Sequence, residues 1–125
     1  MTSLEERMEQ PEEREKLITI LNGVELYSKI VRRCHYQRIG IQVQNNGKDT
    51  FAYTSFNDLS GKVTAVEKGL QQPDITGFVE EDVLTEILNK VEELQAHPTA
   101  AAFQYASKIK IRPRSAYWRI IKALI

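Results

Sequence analysis

The order of periodicities in this sequence predicts an α+β domain in which helices cover one face of a five-stranded, mainly antiparallel sheet. Three observations carry that expectation. Leu17, Ile20, Leu21, Val24, Tyr27, Ile30, Val31 and Cys34 recur at steps of three or four, the spacing of a helical stripe facing a core. At Arg38 the period falls to two, and strand-like segments separated by turn residues follow as far as Val79. Beyond Glu80 helical spacing returns, interrupted by one more strand-like segment at residues 108–112. Helices, then strands, then helices is an α+β order.

Each element has its own warrant. Ser3 and Glu6 have the spacing of a capping box. Pro11 followed by Glu12 and Glu13 opens a second helix, because Pro tolerates the first turn and acids suit its positive end. Asn22-Gly23 interrupts the apolar stripe, and Gly is costly inside a helix, so the stripe divides into helices 11–21 and 24–34. Ile39, Ile41 and Val43 then alternate with polar or small neighbours on a first strand. Asn45-Asn46-Gly47-Lys48 supplies the positive φ angles of a tight turn, and the return strand 50–56 carries Phe51, Tyr53 and Ser55 on one face. Turn residues at 57–61 and 69–73 set off two further strands, 62–67 and 74–79, as an antiparallel meander with one covered face. Glu80-Glu81-Asp82 starts a helix running to about His97, where Pro98 stops it. A short helix at 100–106, the last strand at 108–112 and a C-terminal helix capped by Ser115 complete the chain.

With 125 residues, 42% of them hydrophobic and 27% charged, residues 1–125 are expected to form one globular domain. Seventeen basic residues balance seventeen acidic ones, which argues against a nucleic-acid partner for the domain as a whole. The charge is unevenly placed, however: the first fifteen residues are acidic, whereas Lys108, Lys110, Arg112, Arg114, Arg119 and Lys122 occur without an acid among them. A single cysteine excludes an internal disulfide and suits a reducing compartment. With no basic, apolar leader and no apolar run near the ~18 residues of a spanning helix, the expected location is cytoplasmic.

Catalytic signatures are missing. The sequence has no nucleophile elbow, no dinucleotide or phosphate-binding glycine loop and no C-x-x-C pair, so neither an enzyme nor a cofactor is expected. His35 and His97 lie on either side of the whole sheet region, which makes a metal site improbable. Cys34 precedes His35 but lies on the apolar stripe, where a thiol acts as a small buried hydrophobe. Lys108 and Lys110 read as the solvent face of a half-buried strand. Arg114 and Arg119 flank an apolar helix and fit anionic head groups at a membrane surface.

The last quarter of the chain holds the functional question. Its first helix presents Val83, Leu84, Ile87, Leu88, Val91 and Leu94, and its last presents Tyr117, Trp118, Ile120, Ile121, Leu124 and Ile125. One helical hairpin cannot hide that much apolar surface. Either the sheet covers it, or part of it lines a cavity for an apolar guest.

The motifs of this region resemble one family. Pro73-Asp74-Ile75-Thr76, Glu80-Glu81-Asp82 at a helix start, His97-Pro98 before Ala101-Ala102-Phe103, Lys108-Ile109-Lys110-Ile111 and a terminal amphipathic helix follow in order. Together, over about residues 36–124, they resemble the sterol carrier protein family of non-specific lipid-transfer domains. Ser107 and Pro113-Arg114 stand where that family usually has glycines, His97 replaces an Asn and Glu80 a Ser cap, changes that bear on the cavity entrance. The resemblance implies an apolar cavity between sheet and helices that binds, and transfers, a fatty acyl, sterol-like or isoprenoid lipid, or an acyl-CoA-like ligand. By position it implies a lining of Leu84, Ile87, Leu88, Val91, Phe103, Tyr117, Ile120, Ile121 and Leu124. Two other readings stay open: a structural or protein-interaction module that forms a homodimer through the same surface, and a non-catalytic accessory domain of acyl-CoA metabolism. Peripheral membrane contact is compatible with each.

Overall fold

A computed structural model describes residues 3–125, except for the side chain of Thr99. Three helices open the chain: α1 (Leu4–Met8), α2 (Pro11–Gly23) and α3 (Glu25–Cys34). The Ser3 hydroxyl accepts the Glu6 N–H at 3.2 Å, as the capping spacing predicts, and Pro11 stands at the first turn of α2. Between α2 and α3 the backbone opens at Val24 (φ −94°, ψ 102°). Asn22 makes that break useful. Its side chain donates to the Val63 carbonyl at 3.1 Å and accepts the Val63 N–H at 2.8 Å, tying the helix bend to the sheet. His35 ends α3 in the left-handed region (φ 57°).

The strands are β1 (Arg38–Asn45), β2 (Lys48–Asn57), β3 (Val63–Lys68), β4 (Ile75–Glu80) and β5 (Lys110–Arg112), arranged in the order β3-β2-β1-β4-β5. The first three form the expected antiparallel meander, and β5 is antiparallel to β4. The fourth strand departs from it: β4 crosses back and pairs parallel with β1, Ile39 beside Ile75 and Val43 beside Val79. Polar side chains fix this crossover. The Thr54 hydroxyl donates to the Gly69 carbonyl at 2.6 Å and accepts the Gln71 N–H at 2.9 Å, laying the connection over the outer face of the sheet. A Cβ at Gly40 would lie 2.8–3.1 Å from Thr76, Leu70 and Pro73, so only glycine admits that close approach. One Asp74 carboxylate oxygen then accepts the N–H groups of Gln37 and Arg38 at 2.9 and 3.0 Å, setting β4 alongside β1.

After the sheet come α4 (Glu81–Asn89), α5 (Val91–Ala96), α6 (Pro98–Ala106) and α7 (Ala116–Leu124). The single helix expected up to His97 is broken at Lys90 (φ −112°, ψ 25°). Helix α6 starts at Pro98 rather than at residue 100, since Pro is at home in a first turn. The expected Ser115 cap is absent: Ser115 is itself helical (φ −58°, ψ −22°) and its side chain makes no capping bond. The turn begins one step earlier, where the Pro113 carbonyl accepts the Ala116 N–H at 3.0 Å.

The interior forms three apolar clusters. The first joins Met8 and Leu17 to Val43, Phe51, Val79, Leu84 and Leu88, between the sheet and α1, α2 and α4. The second joins Val31, Cys34 and Tyr36 to Ile39, Ile75, Ala116 and Ala123, under α3 and α7. A smaller third cluster, Ile20, Leu94, Ala101 and Tyr105, lies among α2, α5 and α6.

Candidate functional site

Where the first two clusters meet, the sheet is incompletely covered. On its helix-facing side, side chains form rows across the strands. One row, Phe51, Val43 and Val79, is buried in the first cluster. Another, Ser55, Ile39 and Ile75, is buried beside the second. Between them runs Tyr53, Ile41, Gly77 and Ile111 across β2, β1, β4 and β5. Tyr53 is only 1% exposed, yet Ile41, Gly77 and Ile111 all remain partly accessible. Ile41 stands on the central strand, packed against the first cluster but less covered than the buried Ile39 and Val43 on either side of it.

Gly77 has no side chain, and the Ile109 side chain lies over it. A Cβ there would meet the Ile109 Cγ2 at 3.3 Å and, beyond that, only the Gly40 carbonyl oxygen at 4.0 Å. From the helical layer, Tyr27 packs against both clusters and bridges the seam, while Ile30 and Ile120 border it from the second cluster. The result is an apolar seam whose floor is Ile41, Gly77 and Ile111. Tyr53 to Ile111 spans three strand spacings, about 14 Å.

The polar groups near the seam include the phenols of Tyr27, Tyr36 and Tyr53. Burial pushes the Tyr27 hydroxyl up to about 12, and the nearby Ser55 and Asn57 side chains offset only part of the shift. Tyr36 is likewise raised, by burial first and the neighbouring Cys34 second, against the opposing pull of the Arg119 guanidinium, which lies 5.5 Å over its ring. The hydroxyls of Tyr36, Tyr53 and Tyr105, one in each cluster, are buried without a hydrogen-bond partner among the described residues. Such surroundings can shelter a hydrocarbon chain and offer it a hydroxyl donor; among the described residues they hold no charged acid–base pair. Among the described residues no three His, Cys, Asp or Glu side chains converge as a metal site would need.

The nine residues expected to line a cavity do not share one wall. Leu84 and Leu88 are buried in the first cluster, and Ile87 and Val91 pack on the third. Ile120 faces the second cluster and borders the seam. Phe103 is 70% exposed on α6, and Tyr117, Ile121 and Leu124 lie on the outer surface of α7. Helix α7 turns its small residues, Ala116 and Ala123, inward, which allows close approach to α3 and leaves its bulky residues outside. Tyr27, Ile41, Gly77 and Ile111 were not anticipated. A glycine within the strand 74–79 was the one available signal, since glycine in a strand marks missing side-chain volume or a close approach.

Two surface hollows lie elsewhere. One of ≈ 480 Å³ is lined by Leu4, Asn45, Asn46, Glu80, Glu81, Asp82 and Thr85. Another of ≈ 460 Å³ is lined by Arg33, Cys34, Arg119, Lys122 and Ala123. Among the described residues no helix is long and apolar enough to cross a membrane.

No family model matches this sequence, and no curated protein matches it. Similar solved structures include the sterol carrier protein domain 2 of Helicoverpa armigera, 23% identical, covering 92% of this chain and 88% of that one with a TM-score of 0.43. Sterol carrier protein 2 from Yarrowia lipolytica is 17% identical, covering 84% and 85% with a TM-score of 0.39. Sterol carrier protein 2 from Aedes aegypti, solved as a complex with the C16 fatty acid palmitate, is 16% identical, covering 82% and 94% with a TM-score of 0.37.

Proposed function

We propose that this protein binds a single apolar chain, of fatty acyl or similar form, in the seam between its sheet and its helical layer. The observation that carries the reading is the partial exposure of Ile41 and Gly77 in the middle of the sheet face, continued by Ile111 on its edge strand. A compact domain leaves few such gaps, because lining atoms without neighbours forfeit their dispersion contacts. An acyl chain replaces those contacts. Each methylene removed from water contributes about 0.8 kcal/mol, so a chain of roughly ten carbons supplies a driving force that needs little polar recognition. The unpartnered Tyr53 hydroxyl at one end of the row is a donor for a carboxyl or hydroxyl head. Of the residues expected from sequence, Ile120 takes part directly, while Leu84 and Leu88 support the adjoining core.

Transfer of the bound chain, and acceptance of acyl-CoA-like or sterol-like molecules, extend the same reading. No catalytic role is included in it. The alternative reading is a homodimer through the exposed apolar residues of α7.

Native mass spectrometry of the delipidated protein with palmitate tests the first reading. One bound chain is expected for the native sequence and none for Gly77→Leu, whose side chain fills the seam. Thermal unfolding establishes that the variant is folded, and Ile111→Trp on the edge strand blocks the same space independently. Absence of uptake by the native protein, or equal uptake by both folded variants, would overturn the proposal.

A further inference from the structure

Helix α7 is apolar on two faces. At about 100° per residue, Ala116, Ile120 and Ala123 share the side packed on the second cluster. Leu124, Tyr117, Ile121, Ile125 and Trp118 follow one another around the opposite side, and each is exposed, Trp118 to 70% and Ile125 to 94%. Both apolar faces need cover, and here only one has a core. The remaining arc is polar and basic. Arg119 and Lys122 stand on it, and Arg33 from the last turn of α3 joins them around the ≈ 460 Å³ hollow.

Two of these three cations are held in place, and none is neutralised. Arg33 donates to the Ala123 carbonyl at 2.6 Å, and Arg119 donates to the Cys34 carbonyl at 3.3 Å. None of the three pairs with a carboxylate among the described residues. Nor does any acid follow Glu93 in the sequence. We propose that α7, together with Arg33, docks the protein on the surface of an anionic lipid bilayer, with Trp118, Ile121 and Ile125 entering the head-group layer.

Charge selects this occupant. Apolar residues beside a cluster of unpaired cations match a surface that offers both phosphates and acyl chains, the two signals that stable peripheral binding needs. A second copy fits less well, because it would cover the apolar arc of α7 but offer no anionic partner to Arg33, Arg119 and Lys122. Docking also stands apart from chain uptake, since the outer face of α7 is not part of the seam.

The protein's single tryptophan, Trp118, reports the event directly. Its emission is followed, with co-sedimentation, on adding vesicles of phosphatidylcholine alone or of phosphatidylcholine and phosphatidylserine at roughly 3:1. A blue shift and co-sedimentation are expected with the anionic vesicles and not with the neutral ones. Lys122→Ala and Arg33→Ala each weaken binding about fivefold, and raised salt weakens it further. Ile121→Glu abolishes it, with circular dichroism confirming the fold of each variant. Palmitate uptake is expected to survive Lys122→Ala, which separates failure of docking from failure of carriage. No shift with anionic vesicles, equal binding to both kinds, or a lipid-independent shift that tracks protein concentration would each overturn the proposal.

Discussion

Tyr27 carries two consequences at the scale of a single residue. It spans both main clusters, and its hydroxyl is buried enough to hold its proton up to about 12, against an ordinary 10.0. Because the folded value lies above the unfolded one, the stability this group contributes is fully present below about pH 10. It is lost as pH rises through the window from 10 to about 12, when the unfolded chain ionises more readily. Spectrophotometric titration is expected to show one phenol ionising near that upper value and to lose it in Tyr27→Phe; a titration unaltered by the substitution would refute the assignment. Gly61 gives a second residue-scale expectation. It is buried with φ +87°, and an added Cβ would strike the Ser28 carbonyl oxygen in the last helix before the sheet. Gly61→Ala is therefore expected to cost about 2 kcal/mol or more in denaturant unfolding, and a change under about 0.5 kcal/mol would contradict the geometry.

Elements whose signals are local were legible in the sequence. Ser3, Pro11, Asn22-Gly23 and the Asn46-Gly47 turn each act within a few residues, and the structure places a helix start, a helix start, a helix break and a hairpin at those positions. The parallel seat of β4 was not legible, because it depends on Asp74 reaching the Gln37 and Arg38 N–H groups 37 and 36 residues away. The outward turn of α7 was equally hidden: with apolar residues on two faces, periodicity cannot say which one packs, and two alanines decide it. Of the candidate site, the apolar excess near the carboxyl end was visible and its distribution was not. Asn22 and Asp74 supply the corresponding test. Asn22→Ala removes two bonds between the helix bend and β3, and Asp74→Ala removes the acceptor of two strand N–H groups. Each substitution is expected to destabilise the fold by about 1–3 kcal/mol in urea unfolding. Unchanged midpoints would show that these ties do not hold the crossover.

Across the whole molecule, the fold resolves into two large clusters that meet imperfectly and a helix that is half inside and half out. The seam suits an interior guest, the outer face of α7 suits a lipid surface, and the basic C-terminal region gives that surface its sign. Binding to the folded state alone raises stability by mass action. Palmitate at about 100 times its dissociation constant is therefore expected to add about 2.7 kcal/mol, a rise of roughly 10 °C in Tm. A Tm independent of palmitate would count against uptake. The most direct test places the chain itself: intermolecular NOEs between 13C-labelled palmitate and the isoleucine methyl groups of the protein. Contacts to Ile41, Ile111 and Ile120 are expected. Contacts confined to Ile121, or none at all, would contradict an interior seam as the binding site.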